Sequence, residues 1–239
     1  VLVINDTEFP VKADAVFPNN WLQLAPNRIV LFPMLTENRR AERRPEIIQE
    51  IGLYYQLKEV VDLTHSEVDG QVLEGTGSVV FDHYEKVGYA VLSPRTDKLL
   101  AKKYIESCGY RPVLFRAVKD GIEIYHTNVM MAVTECLIIV CTEVLDVQGR
   151  AWLEKLEKPV MEITIEQMNS FAGNMLELNG PNDESILAMS TRAYGCLTQS
   201  QIQLLEVNHQ ICQLPLAKIE TIGGGSARCM IAENFLPIK

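Results

Sequence analysis

Residues 223–230 read GGGSARCM, and this glycine-rich stretch is the last of five short segments of small and polar residues in the chain. The other four read FPNN (17–20), EGTG (74–77), YHTN (125–128) and FAGN (171–174), so successive segments start 57, 51, 46 and 52 residues apart. The regular spacing of these segments predicts a repeat of about fifty residues, in which each unit buries its apolar face against its neighbours. The expected arrangement is radial, as in a propeller.

The sequence between these segments alternates between helix-like and strand-like patterns. Residues 43–57 and 97–109 have the apolar periodicity of amphipathic helices, whereas 59–65 and 88–95 have the composition of strands. This order predicts an α/β protein. A propeller would bring the five segments to one axis, whereas the alternative, a doubly wound α/β fold, would leave them as unrelated polar loops.

Composition limits the classes of function. The chain has 239 residues, 47% of them hydrophobic, and a net charge of −9, which argues against a nucleic-acid-binding surface. Its one basic cluster, NRRAERRPE at 38–46, is interrupted by Glu42 and Glu46 and is predicted to be a solvated helix start rather than a polyanion site. No apolar run reaches the roughly 18 residues that span a bilayer, and the N-terminus shows no signal peptide. We therefore expect a cytoplasmic protein without membrane or nucleic-acid partners.

The six cysteines form no CxxC pair and no Cys/His spacing suited to zinc, which indicates free thiols in a reducing compartment and no metal site. One of them, Cys229, follows Arg228 and the glycine run directly. A cationic neighbour and exposed backbone N–H groups both favour a thiolate. Glycine also permits the sharp turn that would present the sulfur at the axis.

A propeller would gather a thiol, an imidazole and a carboxylate from three different units. The side chains expected at the axis are Asn19, Asn20, Glu74, His126, Asn128, Asn174 and Cys229. Each has an ordinary structural reading when taken alone: a buried hydrophobe for Cys229, a packing histidine for His126, a turn residue for Glu74. Their common phase in the repeat favours a nucleophile with a base and a group that orients the base.

The motifs GGGSARCM, YHTNVMM, LEGTGS, FPNNW and FAGNMLEL together resemble the amidinotransferase superfamily of guanidino-group-modifying enzymes. Within it, the likeness is to the citrulline utilization hydrolase branch, which is related to arginine deiminases, and it extends from about residue 10 to the C-terminus. The resemblance implies a five-bladed ββαβ propeller (the pentein fold), a single catalytic domain over residues 1–239, and no metal or organic cofactor.

The resemblance also assigns roles to individual residues. Cys229 matches the nucleophile, His126 the general acid and base, and Glu74 the carboxylate that orients the histidine and binds substrate nitrogens. Arg95, in the segment SPRT, matches the arginine that binds the substrate carboxylate. The remaining residues expected to bind substrate are Asn19, Asn20, Asn128, Asn174 and Arg228, with the backbone amides of Gly224 and Gly225 positioning the reacting centre.

Two departures from the arginine deiminase motifs bear on the substrate. Asn20 and Asn128 stand where those enzymes have aspartates, and a buried guanidinium needs anionic acceptors. A carboxamide both donates and accepts, which suits a neutral ureido group. The hypothesis is therefore a hydrolase that prefers citrulline-type to arginine-type substrates. An amidinotransferase with the same three catalytic residues and a non-catalytic binding protein on the same fold are the alternatives.

The N-terminal residues VLVI read as though they begin inside a strand, whereas relatives start with a further strand and helix. The resemblance therefore implies an incomplete first blade. The alternatives are that residues are missing from this chain or that a partner supplies the element; because an unclosed sheet edge favours association, a homo-oligomer is one such arrangement.

Overall fold

The computed structural model describes residues 4–239, so most of the strand expected at the N-terminus lies outside the described residues. From residue 4 the chain is irregular up to a 3-10 turn at Pro18–Asn20, which is the first of the five polar segments. This turn leads straight into the first strand. The polar segment therefore sits at the entrance to a sheet, as the repeat predicts.

Four three-stranded sheets share one topology. In each, the first two strands are antiparallel and the second and third are parallel. The strands of these sheets are β1 Leu22–Ala25, β2 Arg28–Leu31 and β3 Glu59–Asp62; β4 Val79–Asp82, β5 Val87–Val91 and β6 Arg111–Phe115; β9 Met131–Val133, β10 Ile138–Val140 and β11 Val160–Glu162; β12 Leu176–Asn179, β13 Ser185–Ser190 and β14 Gln210–Leu214. A two-stranded hairpin, β7 Val118–Lys119 and β8 Ile122–Glu123, lies between the second and third sheets in sequence.

Helices supply the crossovers that the parallel strand pairs require. The helices are α1 Glu37–Arg40, α2 Pro45–Tyr54, α3 Gly75–Ser78, α4 Lys98–Ser107, α5 Thr127–Met130, α6 Val147–Leu153, α7 Ile165–Asn169, α8 Thr191–Cys196, α9 Gln199–Glu206 and α10 Ala217–Gly223. The crossovers contain α1 and α2, α4, α6, and α8 and α9; the other helices lie outside them. Several begin where the sequence places a cap: Asp97 accepts hydrogen bonds from the backbone of α4, and Thr198 forms a capping box with Gln201 at α9. The predicted mixed α/β class is confirmed. Within residues 4–239, no helix has both the length and the apolar character needed to cross a membrane.

The core lies between the sheets and the crossover helices. Strand β10 is buried along its whole length, and Ile138, Ile139 and Val140 have no exposed surface. A separate apolar cluster joins the first sheet to the end of the chain, where Leu236 packs with Trp21 and Leu24. The backbone N–H of Phe235 also donates to the Leu24 carbonyl (2.9 Å). The C-terminal segment is thus fastened to the first sheet.

The arginine cluster at 38–46 does lie at a helix start, since α2 begins at Pro45, but it is not solvated, so that part of the prediction is wrong. Arg39 and Arg44 are buried. Arg39 Nε lies 2.8 Å from Glu42 Oε1, and Arg43 Nη1 lies 2.6 Å from Glu67 Oε1. The acidic residues neutralise the arginines and allow them to be buried as pairs.

Candidate active site

Four of the five polar segments line one cavity of about 240 Å³, and the remaining one, EGTG at 74–77, lies behind it, where Glu74 contacts His126. Most of them form single helical turns: His126 precedes α5, Glu74 precedes α3, and Cys229 lies in the 3-10 turn Arg228–Met230. Predicted residues that line the cavity are Asn20, Arg95, His126, Asn128, Asn174, Gly224, Gly225 and Cys229. Three predicted residues lie outside its lining: Asn19, Glu74 and Arg228.

Two amide groups face the Cys229 sulfur. Asn174 Nδ2 is 3.2 Å from Sγ and Asn128 Nδ2 is 3.6 Å away, while the thiol itself is only 8% exposed. Hydrogen-bond donors of this kind interact more strongly with a thiolate than with a neutral thiol. The other atom of the Asn174 amide, Oδ1, accepts from the backbone N–H groups of Arg228 (3.0 Å) and Cys229 (3.4 Å). One side chain therefore fixes both the backbone and the sulfur of the candidate nucleophile.

The glycine run allows the first polar segment (17–20) to pack directly against the last one (223–230). A Cβ on Gly225 would lie 2.6 Å from the Phe17 ring, and one on Gly223 would lie 2.9 Å from it. Gly224 has φ +69°, in the left-handed region that glycine adopts without strain. The glycines therefore serve two needs, a sharp turn and close contact with Phe17.

Asn174 offers a test of how the nucleophile is held. Replacement by Ala leaves two backbone N–H groups unpaired beside Cys229, and an unsatisfied buried donor costs roughly 1–3 kcal/mol. Asn174→Asp keeps the acceptor for those groups but turns a second oxygen toward the sulfur and the Asn128 carbonyl, which now receives the Nδ2 donor at 2.8 Å. We expect Asn174→Ala to lower unfolding free energy by about 2 kcal/mol or more in urea titrations. Asn174→Asp should lower the rate at which iodoacetamide alkylates Cys229 at pH 7, compared with the wild-type protein. Equal rates in the wild type and in Asn174→Asp would contradict this.

His126 is bound to Glu74 away from the cavity surface. Its Nε2 lies 2.7 Å from Glu74 Oε2, and Glu74 is completely buried. Because an ionised carboxylate can only accept, Nε2 carries the hydrogen and Nδ1 keeps a free lone pair in the neutral ring. Burial lowers the pKa of His126 and outweighs the opposing effect of Glu74. The histidine is therefore set up as a neutral base.

Glu74 has no free oxygen for a substrate. Its Oε1 accepts from the Leu35 backbone (3.0 Å), and Oε2 accepts from His126 and from Arg95 Nη1 (3.1 Å). The structure supports the orienting role expected of Glu74 but not direct contact with substrate nitrogens.

The ionisation of Glu74 predicts a loss of stability in acid. Burial raises the pKa of Glu74, but the hydrogen bond from His126, the charge that His126 carries once it is protonated in acid, and the charge of Arg95 outweigh it, and the pKa falls from 4.5 to about 2. A carboxyl with a depressed pKa contributes its full stability above the unfolded pKa and loses it as pH falls through the folded pKa. That contribution is about 3 kcal/mol, lost between pH 4.5 and 2. Urea titrations of wild type and Glu74→Gln should therefore converge as pH drops from 6 to 3; a constant difference between them would contradict this.

Arg95 is placed to meet an anionic group at the cavity. Its Nη1 is bonded to Glu74, its guanidinium carbon lies 5.3 Å from the centre of the Tyr125 ring, and its side chain is partly exposed. The ion pair and the ring fix one end of the guanidinium, and its remaining N–H groups are available to a carboxylate. This fits the role that the resemblance gives to Arg95.

Two other predicted contacts are not seen. The Arg228 side chain turns away from the cavity and donates to the Ile231 carbonyl (2.8 Å) and to Glu233 (3.1 Å). Asn19 is fully buried, and neither atom of its amide has a partner among the described residues. Neither side chain can bind a substrate in the cavity without moving.

Sequence reasoning missed Arg39, which lines the cavity from the first unit. The sequence feature that could have identified it is the acidic residue three positions later, because Arg39 and Glu42 are spaced to form an ion pair on one helical turn. Asp14 and Met168 also line the cavity and belong to no motif, whereas Tyr125 and Phe171 line it as the first residues of YHTN and FAGN, without having been predicted as site residues. Across residues 4–239, no group of three His, Cys, Asp or Glu side chains is arranged to hold a metal ion.

Comparison with known proteins identifies a family and a fold. The chain matches the sequence model described as N,N dimethylarginine dimethylhydrolase, eukaryotic, over residues 1–236. No curated protein matches it significantly. Three solved structures are similar. The product-bound N-terminal domain of ArgZ, an arginine dihydrolase from the ornithine-ammonia cycle in Cyanobacteria, is 19% identical (94% of this chain, 77% of that one, TM-score 0.72). AgrE with ornithine and NAD+ is 20% identical (95% and 31%, TM-score 0.72). A dimethylarginine dimethylaminohydrolase adduct with 4-chloro-2-hydroxymethylpyridine is 17% identical (91% and 77%, TM-score 0.64).

Proposed function

Because this chain belongs to the eukaryotic N,N-dimethylarginine dimethylhydrolase family, we propose that it is a cysteine-dependent hydrolase of a small guanidino or ureido compound. The predicted superfamily is thereby confirmed, and the family whose sequence model matches is a hydrolase family acting on C–N bonds. The observation that carries the proposal is the Cys229 thiol, held by two amide donors in the same cavity as a histidine bound to a buried glutamate.

The proposed reaction proceeds through a covalent thio-intermediate. The Cys229 thiolate attacks the central carbon of the guanidino or ureido group, so that an S–C bond forms and a C–N bond breaks. His126, neutral at rest, takes the proton of the Cys229 thiol and gives it to the nitrogen that leaves. It then takes a proton from the water molecule that attacks the intermediate and returns it to the sulfur as the S–C bond breaks. Hydrolysis releases the product and restores the thiol. Glu74 keeps the imidazole oriented throughout.

The size and lining of the rest of the cavity fit a substrate as large as an amino acid. Its volume of about 240 Å³ is below the range of drug-sized pockets. Arg95 would bind the substrate carboxylate near one end of the cavity, and Cys229 would meet the reacting carbon. Asn20 and Asn128 would contact the nitrogen and oxygen atoms on that carbon.

We further propose that the whole chain forms one catalytic domain, a five-bladed ββαβ propeller. Among the described residues, four sheets with a single topology support this, as do the four polar segments that line one cavity and the contact of Glu74, from the remaining segment, with His126. In this proposal the C-terminal segment, in which Asn234 forms a single parallel bridge with Leu24 of β1, would supply part of the fifth blade.

The test is to incubate the protein separately with L-arginine, L-citrulline and N,N-dimethylarginine. Ammonia or amine release and the mass of the Cys229 peptide are measured, with glycine added in parallel as an acceptor amine. Release that does not depend on glycine, together with an adduct on Cys229, supports the hydrolase. Turnover that requires glycine would show a transferase, and the absence of turnover with all three compounds would contradict the proposal.

A further inference from the structure

A second cavity, of about 460 Å³, lies between the first two sheets and is bordered by the end of α4 and by Phe235. Its lining shares no residue with the lining of the cavity that holds Cys229. The volume falls in the range of small-molecule sites, roughly 300–1,000 Å³. The proposed reaction makes no use of this cavity, so it is a candidate site for a separate ligand.

The lysine and arginine side chains of this lining are not balanced by acids. Arg28 from β2 and Lys86 from the β4–β5 turn line the cavity and no aspartate or glutamate does, although the whole chain has a net charge of −9. Within residues 4–239, neither cation forms an ion pair. Glu59 is the neighbour of Arg28 in the β2–β3 register, but it lies outside the lining. A cleft lined by one sign of charge attracts ligands of the opposite sign.

Both cations are held beside the residues that follow α4. Arg28 Nη2 donates to Cys108 Sγ (3.3 Å), and its other N–H groups have no partner in the described part of the chain. Lys86 Nζ lies 5.1 Å from the centre of the Tyr110 ring. Because Cys108 and Tyr110 are only two positions apart, the guanidinium and the ammonium can bind the same carboxylate or phosphate group.

Aromatic rings form another part of the lining. The Phe81 ring lies edge-on to Tyr110 (4.9 Å between ring centres), and the His83 ring lies edge-on to Phe235 (5.6 Å). The Tyr110 hydroxyl is 2.8 Å from His83 Nδ1, which orients the imidazole. Both His83 and Phe235 keep exposed surface, so their rings are accessible to a flat group in the cavity.

We propose that this cavity binds a small anion that carries a flat ring. Its carboxylate or phosphate lies between Arg28 and Lys86, and its ring packs against His83 and Phe235. Inorganic phosphate would meet only the two cations, and a neutral ring would meet only the aromatic side chains. The proposal concerns a site separate from the candidate active site and does not depend on the proposed reaction.

Titration calorimetry with two anionic probes tests the site, since a carboxylate and a phosphate satisfy the same donors. The probes are 2-aminobenzoate and adenosine 5′-monophosphate, and aniline and adenosine are their neutral counterparts. At least one anionic probe should bind with a dissociation constant below about 1 mM, about tenfold or more tighter than its counterpart. Added salt should weaken this binding, because salt screens partly exposed charges. Failure of both anionic probes to bind in this range would overturn the proposal.

Variants locate the bound probe. Arg28→Gln combined with Lys86→Gln should weaken binding about tenfold or more, because the charge-assisted hydrogen bonds are lost. Arg111→Gln is the matched control: Arg111 is exposed and follows Tyr110 directly, but it lies outside the lining. Arg95→Gln removes the cation of the candidate active site. Both of these single variants should keep the affinity of the wild-type protein within about twofold.

Two patterns among the variants would contradict the assignment. An affinity unchanged in the double variant would mean that the probe binds elsewhere, and an affinity lost in Arg95→Gln would mean that it binds in the candidate active site. If the double variant fails to fold, Lys86→Gln decides alone, since Lys86 is exposed and its replacement should weaken binding about threefold. None of these measurements uses turnover, so the proposed reaction can fail or succeed independently.

Discussion

Replacement of Cys229 by Ala should lower kcat/KM by about 10⁴-fold or more, because loss of the nucleophile in a covalent mechanism leaves only binding and electrostatic contributions. The fold should be little affected. The sulfur is one small buried group, and the backbone around it stays bonded to the Asn174 amide oxygen. Steady-state release of ammonia and urea titration measure the two effects on the same protein.

Two other cysteines serve as controls for this variant. Cys212 is exposed, and Cys212→Ser should keep full activity. Cys141 is buried, and burial raises the pKa of its thiol to about 11, so iodoacetamide should not modify it in the folded protein. A Cys229→Ala protein that still turns over substrate, or that gains an adduct on another cysteine, would refute Cys229 as the nucleophile.

Replacement of His126 by Gln should lower kcat/KM by about 10²–10⁴-fold, the range for loss of a general acid and base. The pH profile provides a second readout. Burial lowers the pKa of His126 below 6.5, so the neutral base persists below pH 6.5 and wild-type kcat/KM should fall only at lower pH. The residual activity of His126→Gln should lack this acidic limb.

The chain contains a matched control for His126. His209 Nε2 lies 3.0 Å from Glu177 Oε1, so the buried His209 and the partly exposed Glu177 form a second pair of the same kind, outside the cavity lining. His209→Gln should reduce stability and leave kcat/KM within about twofold, since no contact with the reacting groups is removed. Equal losses of activity in the two variants would mean that His126 acts only through packing.

The sequence predicted which segments meet, because spacing alone determines which positions of a repeat share a phase. Cys229, His126 and Asn174 come from three units, and the structure brings all three to one cavity. Their roles in catalysis stay predictions. The mixed α/β class also followed from the alternation of patterns along the chain.

The directions of side chains could not be predicted in the same way. Arg228 is adjacent to Cys229, but successive residues of a 3-10 turn point about 120° apart, so the side chain beside the nucleophile leaves the cavity. The sequence pattern predicts a solvated Arg39 because most of the groups that accept its hydrogen bonds are distant in the sequence. Glu42 is close in sequence, but the Asn20 amide and the Phe17 carbonyl approach only after folding.

The contact of Phe17 with the glycine run has a consequence for how the protein becomes reactive during folding. It joins positions that are about two hundred residues apart, and contacts of such long range are costly to close and form slowly. Phe17 lines the same cavity as Cys229, so the thiol is less enclosed until that closure is complete. Selective alkylation of this one sulfur would therefore report, in a refolding experiment, the moment at which the whole chain has assembled.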